Sequence, residues 1–446
     1  MRVLSVATAI LAMAGSAQAA SNVVQYGPAP SWISPPPGQS GAKPPEGAAV
    51  QVLYVDTQTR LGADGDEFYR AYRLKILKPE ALALGNISAM WSPSADDIRV
   101  HGLKIIRDGR EIDVLAGSKF KVLQREDNLE ASVLSGNLTA TLQTPGLQVG
   151  DELEFAATVK RRDPTLGDRS QGEMQLPATG AFGSYRLRLV WPKTRDVHWR
   201  TSSDFDQVKP VETGDDYVLD YELRDPKTAI VANGAPPRVN LRRLLQFSSF
   251  VSWGDVSNTV APLFETASTL KPNSPVKAEA AKIAAASNDP AQRAEAALRL
   301  VQERIRYVYV GLDGSNYRPA TADETWDRRF GDCKAKTVLL LALLRELGVP
   351  SEAVLVNALG GDGADQHLPM PGVFNHVLVR ASIAGQAYWL DGTRLGDRSL
   401  DLQPPPVFRW ALPVRRGSAT LERVDAVAPV LAQDGTLLEV DARKGF

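Results

Sequence analysis

Near residue 250 the hydrophobic periodicity of this chain changes, and that change limits the fold more than any other feature. From about Ala48 to Leu245, short runs alternate apolar and polar residues, as in Val52 to Thr59, Phe68 to Leu77, Glu152 to Val159, Ser184 to Val190 and Asp216 to Glu222. Alternation at a period of two buries one face of a strand and leaves the other wet. The run Ile98 to Ile106, the dipeptide Asp108-Gly109 and the run Glu111 to Leu115 predict a tight hairpin, because both turn residues tolerate positive φ. Phe120 to Leu123 and Asn137 to Leu142 add further strands. Short strands at this spacing predict a sandwich-like β domain over 48–249.

Beyond Phe250 the pattern becomes helical. Ser274-Pro275 opens a helix to about Ala286, and Asp289 with Pro290 opens a second, in which Ala294, Ala297, Leu298, Val301 and Ile305 share a face. A third begins at Gly331-Asp332-Cys333 and runs to Leu347, with Gly348 and Pro350 ending it. Strands return at Glu352 to Asn357, Phe374 to Ile383 and Gln386 to Asp391. Helices followed by strands predict an α+β core over 250–400, a helix cluster packed on an antiparallel sheet. Residues 401–446 read as the start of a C-terminal β segment.

Before the strands, residues 21–47 form a Pro/Gly-rich leader of polyproline II character, in which Trp32 and Ile33 could dock on a neighbouring surface. Residues 1–20 read as a cleavable signal peptide: Arg2, an apolar stretch from Val3 to Ala14, and Ala17-Gln18-Ala19 before Ala20. No cysteine near that point could carry a lipid, and no later run is apolar enough to span a bilayer, so the mature chain is expected to be periplasmic or secreted, without an integral membrane segment. The net charge of −1 over 446 residues, with basic residues scattered in pairs, gives no electrostatic support for a nucleic-acid partner.

Export makes the single cysteine informative. Asp332 is a good N-cap, so Cys333 falls in the first turn of its helix, where the macrodipole favours a thiolate. A small apolar residue capping a core helix is the alternative, since free cysteine is among the most buried residue types.

A nucleophilic cysteine needs a base within hydrogen-bond reach and a group that orients it. A two-residue turn at Ala384-Gly385 pairs Ile383 with Gln386 and sets His376 diagonal to Asp391; a four-residue loop from Ser382 to Gly385 sets the two directly opposite. Both registers put imidazole and carboxylate on one face, and a slip by one residue would separate them. His101 and His198 read as ordinary strand residues. His367, in a Gly/Asp/Pro loop, reads as a solvated residue that could line a cleft. No HExxH, paired-cysteine zinc pattern, P-loop, G-x-G-x-x-G unit or G-x-S-x-G elbow is present, and no metal or organic cofactor is implied.

Several blocks carry a resemblance: Arg318-Pro319-Ala320-Thr321, Arg329-Phe330-Gly331-Asp332-Cys333-Lys334, Leu343-Leu344-Arg345-Glu346-Leu347-Gly348-Val349, Phe374-Asn375-His376-Val377 and Leu390-Asp391-Gly392-Thr393. Together they resemble the transglutaminase-like superfamily. Trp91-Ser92-Pro93, Arg107 to Val114, Gln124 to Glu130 and Gly150 to Glu154 are similar to bacterial exported proteins that join a β-rich domain of unknown function to such a core. Relatives of that group often continue into another β domain, whereas this chain stops at Phe446 after Thr436-Leu-Leu-Glu-Val-Asp. The resemblance implies a papain-like fold with Cys333 as nucleophile, His376 as general base and acid, and Asp391 orienting the imidazole. It implies acyl transfer or hydrolysis at peptide or protein amides through a thioester. The backbone N–H of Cys333 would serve the oxyanion, with Tyr317 as a second donor and Asp332 in the cleft. The alternative is a non-catalytic envelope scaffold whose β domain binds a protein partner.

Overall fold

The computed structural model describes residues 22–124, 126, 136–177, 183–203, 205, 208–226, 234–236, 238, 243–308, 317–359 and 361–425. The expected signal peptide, most of the Gln124 to Glu130 match and the segment after Thr436 lie outside the described residues. The chain is α+β, a large β-rich region followed by a core of helices and a second sheet.

The β-rich region is built on a nine-stranded sheet. Its central strands, Asp96–Arg107, Glu152–Arg161, Asp66–Ile76 and Val50–Arg60, pair antiparallel, and Ser184–Pro192 joins Val50–Arg60 in parallel. The Asp108-Gly109 turn forms as read, with φ of 48° and 78° and Arg107 opposite Arg110. Two three-stranded sheets pack on this one. On one, Ile87, Trp91, Ala140 and Leu142 meet Ile98, Leu103, Leu153 and Phe155. On the other, Met174, Leu245 and Phe247 meet Leu187, Leu189, Leu219 and Tyr221. Each fully buried aliphatic or aromatic side chain contributes about 1.5–3 kcal/mol.

The leader is docked rather than free. Gln25–Tyr26 adds a parallel strand beside Arg99 and Val100. Trp32 and Ile33 pack on Tyr54, Tyr69 and Ala71, and the Gln58 amide bonds both the N–H and the carbonyl of Ser34.

The core contains helices α1 (Trp253–Ala267), α2 (Pro275–Ala286), α3 (Pro290–Arg304), α4 (Ala322–Arg328) and α5 (Cys333–Glu346). Ser274 and Asp289 cap α2 and α3, each followed by proline, as the sequence predicts. Helix α5 is buried from Cys333 through Leu344 on every side, touched by α2, α3, α4 and the sheet. A helix buried on every face sits at the centre of its domain. No described helix is long and apolar enough to cross a membrane.

The core sheet has five strands in the order Gln386–Leu390, His376–Ile383, Ser351–Val356, Trp410–Val414 and Glu422–Arg423. The strand Trp410–Val414, which the sequence assigns to a further β segment, therefore pairs with Ser351–Val356 and completes this sheet, burying Leu412 and Val414. Ser257 of α1 fastens the return: its hydroxyl lies 2.8 Å from the carbonyls of Pro413 and Arg415 and accepts the Arg415 N–H at 2.9 Å.

Candidate active site

The turn into α5 is fixed before the cysteine is reached. Arg306 and Tyr307 pair in parallel with Phe330 and Gly331, and a Cβ on Gly331 would come within 2.7 Å of the Ala335 Cβ. Only glycine permits that approach. Asp332 then caps the helix: Oδ1 accepts the Ala335 N–H at 3.0 Å, while Oδ2 pairs with Lys334 Nζ. Cys333 follows in the first turn, 1% exposed, at the positive end of the macrodipole.

The hairpin adopts the two-residue register. Ile383 pairs with Gln386 and Val379 with Leu390, with Ala384 and Gly385 at φ of 52° and 83°. Asp391 leaves the strand end on the His376 side, and His376 Nε2 lies 2.9 Å from Asp391 Oδ2. The Cys333 side chain lies near enough to the imidazole to favour its charged form. With Nε2 held by Asp391, Nδ1 is the ring nitrogen left for another partner. Cys333, His376 and Asp391 thus come together from one helix, one strand and one strand end.

Neighbouring polar groups fix this arrangement. Asp391 Oδ1 accepts from the Thr393 N–H at 2.9 Å and its hydroxyl at 2.7 Å. Gln302 of α3 donates to the Asp391 carbonyl at 3.0 Å. Thr337 of α5 donates to the Val377 carbonyl at 3.1 Å, tying the helix to the strand beside His376. Gln302, Thr337 and Lys336 were not singled out from sequence. The available signal was polar residues inside otherwise apolar helical runs.

The electrostatics follow from burial among unlike charges. Burial disfavours the His376 imidazolium, yet the bonds to Asp391 and Cys333 and their negative charge outweigh it and push the group up to about 10. Burial likewise raises the Asp391 carboxyl, but the His376 bond and charge, with Thr393, hold it below the usual carboxylate range. Such a set holds an imidazolium against a carboxylate beside the only cysteine of the sequence.

Tyr317 is buried at the boundary with the β-rich region, its hydroxyl accepting from Gln171 Nε2 at 2.9 Å. It borders a cavity of about 240 Å³ lined from both sides, by Asp66, Arg161, Arg169 and Gln171 and by Met370 and Gly372. Both carboxylate oxygens of Asp332 are taken by the cap and Lys334, so it acts on the site by setting the turn. His367 is no solvated loop residue: its Nδ1 lies 2.9 Å from Glu173 Oε1 and bonds the Gln246 amide, both in the β-rich region. His101 has both nitrogens occupied, Nδ1 by the Gly27 carbonyl at 3.0 Å and Nε2 by the Thr158 hydroxyl at 2.7 Å. His198 sits exposed on the strand His198–Thr201.

Comparison with known proteins agrees with this architecture. Residues 277–387 match the transglutaminase-like superfamily, and residues 64–230 match a domain of unknown function with a solved structure, DUF3857. A candidate protease from Parabacteroides distasonis is 12% identical with a TM-score of 0.65, over 83% of this chain and 71% of that one, which shows a shared fold. Native leukotriene A4 hydrolase from Saccharomyces cerevisiae (12% identity, TM-score 0.24, 45% of this chain and 29% of that one) carries no argument. Nor does an M1 zinc metallopeptidase from Deinococcus radiodurans (9%, 0.21, 45% and 42%). Comparison with curated protein sequences finds no match. The chain carries a domain of the transglutaminase-like superfamily at 277–387, preceded at 64–230 by a domain of unknown function.

Proposed function

We propose that this is an exported thiol enzyme that cleaves or transfers at peptide or protein amide bonds, with Cys333 as nucleophile, His376 as acid and base, and Asp391 as orienting group. The observation that carries the reading is His376 bonded through Nε2 to the Asp391 carboxylate, with the Cys333 side chain beside the ring. The superfamily match and the fold shared with a candidate protease support the same chemistry.

In the first half-reaction the Cys333 thiolate attacks the amide carbonyl, and the carbonyl electrons move onto oxygen. The Cys333 N–H, at an end of α5 with no intrahelical acceptor, stabilises that oxyanion, with the Tyr317 hydroxyl as a second donor. Collapse expels the amine, which takes the proton of His376 Nδ1, and leaves a thioester. Neutral His376 then removes a proton from water or an amine as it attacks the thioester, and the thiolate leaves. Water gives hydrolysis and an amine gives transfer, from one common intermediate.

The test offers dimethylcasein with a fluorescent primary amine, in parallel with a quenched peptide library, to the wild type and to Cys333→Ser. The reading predicts amine incorporation or peptide release that vanishes in the variant. Equal signal from both proteins would remove Cys333 from the reaction, and no signal from either would favour a non-catalytic envelope partner-binding protein.

A further inference from the structure

The catalytic reading puts a thiolate, an imidazolium and a carboxylate in one buried cluster, and that cluster alone carries a net negative charge. Lys336 belongs to the same neighbourhood. It lies one turn beyond Cys333 on α5 and is 1% exposed. It packs against the residue after Asp391, since a Cβ on Gly392 would meet the Lys336 Cβ at 3.4 Å. Its ammonium donates to the Ile305 carbonyl at the end of α3, a neutral acceptor.

Burying an ammonium is costly, and an apolar side chain of similar volume is often as stable or more so in such a place. The other lysine of this turn, Lys334, is paired with Asp332. The charged group that acts on Lys336 is Asp391 at the hairpin end, which favours its charged form. Burial draws the Lys336 ammonium down to about 8, which leaves it charged at neutral pH.

We propose that Lys336 is the counter-charge of the Cys333–His376–Asp391 cluster, making the thiolate form neutral as a whole and so holding the nucleophile ready at neutral pH. This rests on the catalytic reading above. Lys336 touches no reacting atom and is a positioning residue acting through Asp391. Removing a cation from a buried cluster favours uptake of a proton, so the thiol form gains at the expense of the thiolate.

The test measures the rate of Cys333 alkylation by iodoacetamide from pH 4 to 9 in the full mature chain, in Lys336→Met and in Lys336→Gln, which keeps a donor for Ile305 without the charge. Folding of each is checked by circular dichroism and thermal melting. The expected result is a labelling midpoint about one pH unit higher in both variants, so roughly tenfold slower labelling at low pH, with a melting temperature unchanged or raised in Lys336→Met. Folded variants whose profiles superimpose on the wild type overturn the counter-charge role while leaving the catalytic reading in place. Lost stability with an unmoved profile makes Lys336 merely structural. A wild type that labels only in the ordinary thiol range overturns the catalytic reading itself, and the counter-charge falls with it.

Discussion

Gln302 on α3 holds Asp391 by its backbone: the Gln302 amide donates to the Asp391 carbonyl at 3.0 Å and to the Asp397 carboxylate at 2.8 Å. Gln302 is 3% exposed, so no water replaces it readily. Gln302→Leu is expected to destabilise the chain by about 1–3 kcal/mol, because two acceptors are left short of a donor. Urea unfolding measures this, and Cys333 alkylation at pH 6 should slow as Asp391 loosens.

Replacing the Asp391 carboxylate tests the proposed chemistry more severely. Asp391→Asn removes the negative charge that supports the His376 imidazolium. Amide turnover should fall about 10²–10⁴-fold, the range for losing one member of an acid–base relay. Steady-state kinetics on the substrate found in the amine-incorporation screen check this, with circular dichroism to show an intact fold.

The His376 charge also sets a stability window. Its folded value, pushed up to about 10, lies above the unfolded value of about 6.5. Its contribution is therefore fully present below about pH 6.5 and lost as pH rises through about 10. Urea midpoints of the wild type and His376→Gln should converge at high pH. Parallel curves from pH 6 to 10.5 would contradict this.

The two halves are clasped by charged groups. Arg169 donates to both Asp255 oxygens, at 2.7 and 3.0 Å, and to the Ser249 carbonyl at 2.8 Å. Arg169→Ala should lower stability by about 1–3 kcal/mol, since the bonds are charge-assisted and bidentate. Chemical denaturation followed by tryptophan fluorescence reads the loss.

A second clasp responds to acid. Burial raises the Glu173 carboxyl, but its His367 and Gln246 partners outweigh that and hold it below its ordinary value. The stabilisation is present above the unfolded value of about 4.3 and lost as pH falls through the lower folded value. Glu173→Gln should flatten the wild-type decline in urea midpoint below pH 4.3.

Local rules made much of this legible in sequence. Asp332 as N-cap, Gly348 after the helix and the Ala384-Gly385 turn each act within a few residues, so the Cys333 position and the shared face of His376 and Asp391 followed from spacing, while the choice between the diagonal and the directly opposed register did not. Long-range contacts leave no such trace. The strand Gln171–Gln175 is polar except for Met174 and shows no alternation, and it earns its place by pairing with Leu244–Ser248. Helix α1 hides behind Gly254, Thr259 and an internal Pro262, and α4 is a short helix marked mainly by its Thr321–Glu324 capping box. The His367 clasp and the buried Lys336 depend on partners distant in sequence or on a neighbouring helix end.

The central claim is that His376 keeps Cys333 as a thiolate, and the pH profile of Cys333 alkylation in the wild type against His376→Ala tests it most directly. The account predicts fast labelling well below the free-thiol value of about 8.5, lost in the variant. Labelling that rises only above about 8.5 and is unchanged by the substitution would contradict it.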